Sequence, residues 1–170
     1  MLMSAFVELV LTRGYQGLTT SEISRKADVG RSTFYLHYAS KEELLKESLK
    51  IPSSGMAACV GGDVTPQKLT PLLDHFREQR TVNRVFFSDP IRPIWVRSLA
   101  ALIEPRLTAA ARTGGMRALI PRSLVALTIA EMQIALVTHW LTGRFSLKPE
   151  VVAVALIANT RAIVLGISPH

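Results

Sequence analysis

Residues 19–47 read TTSEISRKADVGRSTFYLHYASKEELLKE, and the fold turns on how this stretch is parsed. Thr19 is followed three positions later by Glu22. That is the spacing of a capping box, in which the hydroxyl accepts from the Glu22 amide and the carboxylate reaches back to the start of the helix. Ser40 and Glu43 repeat the spacing, so helices are predicted to begin near residues 20 and 41. Ile23 and Ala27, four apart, face one way. Asp28-Val29-Gly30 then breaks the pattern, and Gly30 suits an N-cap because it adopts non-helical angles cheaply. A short helix follows from about Arg31 to Tyr38. Phe34 and Tyr38 share one of its faces, while Arg31, Ser32, Tyr35 and His37 point elsewhere. Two helices joined by so short a turn make a helix-turn-helix.

The outward set suits DNA. Arg31 can fork onto guanine O6 and N7 or hold a phosphate. Ser32 can bond to either, and Tyr35 offers a ring to a thymine methyl and a hydroxyl to a phosphate. Thr33, His37 and Lys41 are donors suited to phosphates, which position a helix while base contacts specify sequence. The plainer alternative is a solvated short helix between two longer ones, but the spacing of both capping boxes around this insert argues against it.

The run Gly14-Tyr15, Leu18-Thr19-Thr20, Ile23, Ala27, Val29, Arg31-Ser32-Thr33-Phe34-Tyr35, His37-Tyr38 and Ser40-Lys41-Glu42-Glu43-Leu44 resembles the amino-terminal domain of the TetR family of transcriptional regulators. The resemblance covers roughly the first fifty residues. It implies an all-helical homodimeric repressor whose third helix reads an operator. On it, base contacts fall to Arg31, Ser32 and Tyr35, and phosphate contacts to Thr20, Thr33, His37 and Lys41. Phe34 and Tyr38 match positions that are usually core. Two departures stand out. Gly30 occupies a position where the family often has Ser or Thr. The family also carries a basic arm before its first helix, whereas this sequence starts inside that helix at Met1-Leu2-Met3, so the arm is either absent or trimmed.

Composition sets the outer bounds. Apolar residues make up 48% of the 170 residues, enough for a substantial core. The single Cys59 excludes an intramolecular disulfide and fits a reducing cytosol; a plain free thiol is the expectation, ahead of an oxidation sensor. Met1 to Leu11 has no basic leader or cleavage site and does not read as a secretory signal. The best membrane candidate, Leu119 to Leu141, is interrupted by Arg122, Glu131, Gln133 and His139, leaving no clean span of about 18 apolar residues. A soluble, cytoplasmic chain without membrane association is expected. The net charge of +7 invites a nucleic-acid reading, but its distribution does not support one independently. Residues 1–50 hold seven Lys/Arg and six Asp/Glu, and residues 51–170 hold thirteen and seven.

The rest of the chain is predicted helical, with no stretch of period-two alternation. The first helix runs over residues 3 to 13 and stops at Gly14. The fourth runs from Lys41 to about Lys50, until Ile51-Pro52 stops or kinks it. Ser53 to Thr65, with three glycines, reads as a linker or mobile loop. The expected organisation is a helix-turn-helix domain over 1–50, a linker over 51–65, and a helical effector-binding and dimerisation domain over 66–170. Within the last, helices are marked by Leu69 to Phe76, by Val82 to Phe86, and by a long one that Pro90 and Pro93 start and Gly114-Gly115 ends, with a kink at Pro105. Two more run from Pro121 to Thr142 and from Glu150 to about Leu165. The final helix is apolar nearly all round, so it must be buried on several sides. Pairing of the last two helices with their copies in a second subunit would achieve this. Leu136, Val151, Val154, Ala155 and Ala158 are the candidate interface, with Ala153 also allowing close approach.

An effector pocket is sought among Phe76, Phe86, Trp95, Gln133 and Trp140, with Phe87 as a further aromatic wall. For each of these, ordinary core or interface packing is the simpler role. The resemblance implies a pocket among the middle helices but transfers no residues to it. Arg77, Arg80 and Arg84 share a face if their helix is continuous, and then either meet an anionic effector or stay solvated. Catalysis has little support. There is no Gly-rich phosphate loop, no nucleophile elbow, no cofactor motif, and no metal-ligand spacing among His37, His75, His139 and His170. The function expected is a ligand-responsive repressor binding a palindromic double-stranded operator as a dimer, with an unidentified small-molecule effector. The rival is a helical ligand-binding or scaffold protein whose helix-turn-helix no longer binds DNA.

Overall fold

Helix α1, Leu2–Arg13, turns Phe6, Leu9 and Val10 inward and ends at Gly14, whose φ of 76° is open to glycine at little cost. The computed structural model describes residues 1–62, 64–114 and 120–166, without the side chains of 113 and 114. Helix α2, Thr20–Lys26, begins with the complete Thr19/Glu22 capping box. It ends in a Schellman turn: the Val29 amide donates to Ser24 O at 3.0 Å and the Asp28 amide to Arg25 O at 3.2 Å. The left-handed position, φ 54°, falls to Asp28, one of the few residue types besides glycine that tolerate it. Helix α3 is Arg31–His37, capped only by the extended Gly30 backbone. Helix α4, Lys41–Ser48, opens on Ser40, whose hydroxyl accepts from the Glu43 amide. The Glu43 carboxylate reaches back one residue further than expected, to the Ala39 amide.

The stretch expected as a linker or mobile loop is mostly helix. Helix α5, Lys50–Ala57, follows α4 after one residue and runs into a 3-10 turn, Ala58–Val60. Pro52 explains the break. It offers no N–H to Ser48 O and its ring crowds that carbonyl, so α4 stops at Ser48 and the chain restarts beyond Leu49. Gly55 is a packing residue rather than a loop residue: a Cβ there would lie 2.9 Å from Leu72 Cδ2. Ser53, Met56, Ala57, Cys59 and Val60 are all buried. Burial raises the Cys59 thiol to about 11. Because the thiolate is the reactive form, a disulfide reagent at about neutral pH should modify this cysteine only after unfolding in guanidinium. Prompt labelling of the folded protein would contradict that burial.

Helix α6 is Pro66–Glu78, α7 is Arg80–Phe86, α8 is Arg92–Gly114, α9 is Arg122–Leu141 and α10 is Pro149–Gly166. These ten α-helices and the 3-10 turn form the described structure, without a strand among the described residues. Helix α8 runs unbroken through Pro105, and the end expected at Gly114-Gly115 lies partly outside the described residues. It packs along α9 and across α5, while α10 lies on α6 and α9, and α1 touches α2, α4 and α7. Phe76, Phe87 and Trp95 form the aromatic centre, with the Phe87 and Trp95 rings 4.2 Å apart. Both α9 and α10 hold an 18-residue window of mean hydropathy 1.5, long and apolar enough to cross a membrane on composition alone. Here their inner faces are packed in the helical body, and Glu131 of α9 is ion-paired with Arg92.

The three arginines do not form one face, because α6 and α7 break at Gln79. Arg77 pairs with Asp74 at 2.9 Å, and Arg80 Nε donates to Leu141 O at 2.5 Å. Gly143, after α9, has φ +80°, and a Cβ there would collide with the Arg80 guanidinium. Gly143→Ala should therefore cost about 1–2 kcal/mol for the left-handed backbone and about 1 kcal/mol more for the displaced hydrogen bond. Denaturant unfolding measures this. An unchanged midpoint would show that the turn is not held as described.

Candidate nucleic-acid interface and internal cavity

Helix α3 presents one edge to the interior and the rest to solvent. Phe34 is fully buried, with edge-on contact to Tyr35 and a tilted contact to Tyr38. Arg31, Ser32, Tyr35, Leu36 and His37 are exposed, and Thr33 and Tyr38 are half-buried. Two helices come together at Tyr35, whose hydroxyl lies 3.1 Å from Thr20 Oγ1 in the first turn of α2. The hydrogen bond with Thr20, together with Arg31, lowers the pKa of the Tyr35 hydroxyl from its ordinary value. Thr20, Arg31 and Tyr35 thus lie together on one surface.

Lys41 does not join them as a free donor. Its ammonium donates to the carbonyls of Tyr15, Gln16 and Leu18 at 3.0, 2.9 and 2.8 Å and lies 4.8 Å above the Tyr15 ring centroid. An ammonium has three protons, and all are spent on the α1–α2 connection. Lys41 ties α4 to that loop instead of reaching outward. Other cations of this region are also paired: Lys26 with Glu8, Arg13 with Glu22, Lys46 with Glu42 and Lys50 with Glu47. Arg25 and Arg31 have no carboxylate partner among the described residues. Leu36, 82% exposed, had not been singled out. Its position one helical turn after Ser32 was the available signal.

The cavity expected among the middle helices gathers three of its five residues. Phe76, Phe86 and Trp95 line a space of about 400 Å³ whose wall includes Val7 of α1 and Leu49 and Pro52 at the α4–α5 break. Gln133 is elsewhere, fully buried. Its Nε2 donates to Met56 O at 3.1 Å and to Thr160 Oγ1 at 2.9 Å, tying α9 to α5 and α10. Trp140 closes the α9–α10 loop by donating from Nε1 to Leu147 O at 2.9 Å. Phe87 makes a tilted ring contact with Trp95 within the core and is not among the residues lining the cavity.

On the outer side of α9 and α10, Leu124, Leu127, Val151 and Val154 are 50%, 41%, 50% and 52% exposed. Leu136 and Ala155 are half-buried and Ala158 is exposed. Ala153, expected at the same face, is instead fully buried within the chain.

Residues 2–48 match the family model for bacterial regulatory proteins of the tetR family. The chain is 44% identical over 50 residues to the uncharacterized HTH-type transcriptional regulator YxbF of Bacillus subtilis, covering 29% of this chain and 13% of that protein. A second Bacillus subtilis regulator, the uncharacterized YvkB, is 26% identical over 95 residues, which span 52% of this chain and half (50%) of its own length. The fold extends further. A TetR transcriptional regulator from Streptococcus agalactiae superposes with a TM-score of 0.58 at 28% identity, covering 94% of this chain and 90% of that one. Thermus thermophilus FadR, a TetR-family repressor solved with lauroyl-CoA, superposes with a TM-score of 0.53 at 21% identity, covering 96% and 91%. Residues 2–48 thus match the tetR family of bacterial regulatory proteins, and the helical body that follows them shares the fold of solved TetR regulators.

Proposed function

We propose that the chain is a ligand-responsive transcriptional repressor that binds a palindromic operator as a homodimer. The observation that carries this reading is the exposed edge of α3, where Arg31 and Tyr35 stand beside Thr20 on a helix held from behind by Phe34. Arg31, Ser32 and Tyr35 are proposed to read bases, with Leu36 adding an apolar contact of the kind a thymine methyl accepts. Thr20, Thr33 and His37 are proposed to hold phosphates, and Lys41 to act indirectly by fixing the α1–α2 loop. The amino-terminal helices serve as the DNA-binding part and the remainder as the part that dimerises and binds effector.

The dimer would be isologous, with the apolar outer faces of α9 and α10 meeting their copies around Leu136, Val151, Val154, Ala155 and Ala158. Two recognition helices about 34 Å apart would then read two half-sites. Thermus thermophilus FadR, which is similar in fold, was solved in complex with lauroyl-CoA, and this supports the effector reading. In this chain the cavity touching α1 and the α4–α5 break is the proposed effector site. An effector that binds unequally to the two operator-binding geometries shifts the balance between them.

Selection from a randomised duplex pool tests the reading. A two-fold symmetric consensus is expected. Arg31→Ala should lose about 1–3 kcal/mol of discrimination at one base pair of each half-site, read as a flattened position in the consensus. An unsymmetrical pool, or the same consensus from the variant, would contradict it.

A further inference from the structure

We propose that the cavity between α1, α5, α6, α7 and α8 takes an uncharged, largely apolar small molecule, its polar end at His75 and Gln79 and its body against Phe76, Phe86 and Trp95. This rests on the effector-responsive reading above and adds the chemistry of the ligand. Among the described residues, no Lys, Arg, Asp or Glu side chain lines the cavity. A charged group drawn into it would lose its water without gaining a partner, which is costly.

Three donors of the inner wall are already engaged. Asn83 Nδ2 donates to Phe76 O at 3.1 Å, Ser48 Oγ donates to Leu45 O at 2.6 Å, and Trp95 Nε1 donates to Ser53 Oγ at 2.9 Å. His75 and Gln79 are different. They lie four residues apart, His75 on the last turn of α6 and Gln79 at its end, are exposed, and make no side-chain hydrogen bond among the described residues. They are the groups left to meet a ligand hydroxyl or carbonyl at the mouth, beside the largely exposed Ile51.

The site therefore differs from one built for a polyanion such as an acyl-CoA. Lys46, Lys50 and Arg97 line a separate groove with Ser53, and Lys46 and Lys50 are already paired with Glu42 and Glu47. The position also has a regulatory consequence. Because Val7, Leu49 and Pro52 are part of the wall, a ligand filling the cavity presses directly on α1 and on the break between α4 and α5.

Calorimetry on the whole chain tests the proposal with three probes: 2-naphthol, naphthalene-2-sulfonate and lauroyl-CoA. The neutral probe should bind at one site per chain, and both anions at least about tenfold more weakly. Val82→Trp, which fills the cavity, should weaken 2-naphthol at least about tenfold; Val82→Phe serves if that variant does not fold. Gln79→Arg, which places a cation at the mouth, should reverse the preference toward the sulfonate. Anion binding as tight as that of 2-naphthol, indifference to both Val82 variants, or no binding of 2-naphthol would overturn the proposal. Binding is read without DNA, so operator titration in saturating 2-naphthol is a separate readout. Binding without change in operator affinity would leave the ligand class standing and remove the effector reading.

Discussion

Phe34→Ala is expected to destabilise the amino-terminal helices by about 3–5 kcal/mol, the usual cost of emptying a large buried aromatic site. Phe34 is fully buried and is the one buried side chain of the seven-residue α3. A helix this short has no stability of its own in water. Its place depends on Phe34 packing into the core and on the Tyr35–Thr20 contact, at 3.1 Å. The whole amino-terminal unit is small, so a loss of this size is comparable to the stability of a typical domain. Circular dichroism of the variant should show early loss of helix in a thermal scan, while the α8–α10 body melts later. Phe34→Leu, which keeps most of the volume, should recover more than half of the loss. A variant that melts together with the parent would mean that α3 is held by something other than its buried face.

The second large effect lies at Trp95. Replacing it with Ala should cost about 3–5 kcal/mol, since the side chain is 1% exposed and touches the rings of Phe76 and Phe87. Trp95→Phe separates the contributions. It keeps a ring beside Phe87 but leaves the buried Ser53 hydroxyl without its donor, now 2.9 Å away. The loss there should be about 1–3 kcal/mol. Equal losses for the two variants would show that the hydrogen bond, and not the ring packing, dominates. Because Trp95 also walls the cavity, the Ala variant enlarges the very space proposed for the ligand.

Local signals made much of this fold legible. Both capping residues, the turn at Asp28 to Gly30, and the stops at Gly14 and Gly143 are interactions over a few residues, and residue identity is enough to read them. The errors came where the deciding contact is distant in sequence. Lys41 has the composition of a phosphate donor, but its acceptors at Tyr15, Gln16 and Leu18 lie more than twenty residues earlier. Gly55 looked like loop punctuation, and only its approach to Leu72 on α6 shows it to be a helix-packing residue. Gln133 resembled a pocket group because it is polar on an apolar helix. Its partner Met56 is 77 positions away. The cavity was half legible for the same reason: Phe76, Phe86 and Trp95 follow from the apolar faces of their own helices, whereas which of them border empty space depends on how five helices meet.

The central claim is that the exposed edge of α3 reads DNA sequence. Its most direct test is a fluorescence titration of the selected operator and of a shuffled duplex, with the parent chain and with Arg31→Ala, at several salt concentrations. The account predicts that the parent prefers the operator by about a thousandfold or more. It also predicts that affinity falls steeply with salt for both duplexes and that Arg31→Ala loses about ten- to a hundredfold on the operator with little change on the shuffled duplex. Equal affinity of the parent for the two duplexes, or an operator preference that survives Arg31→Ala unchanged, would contradict it.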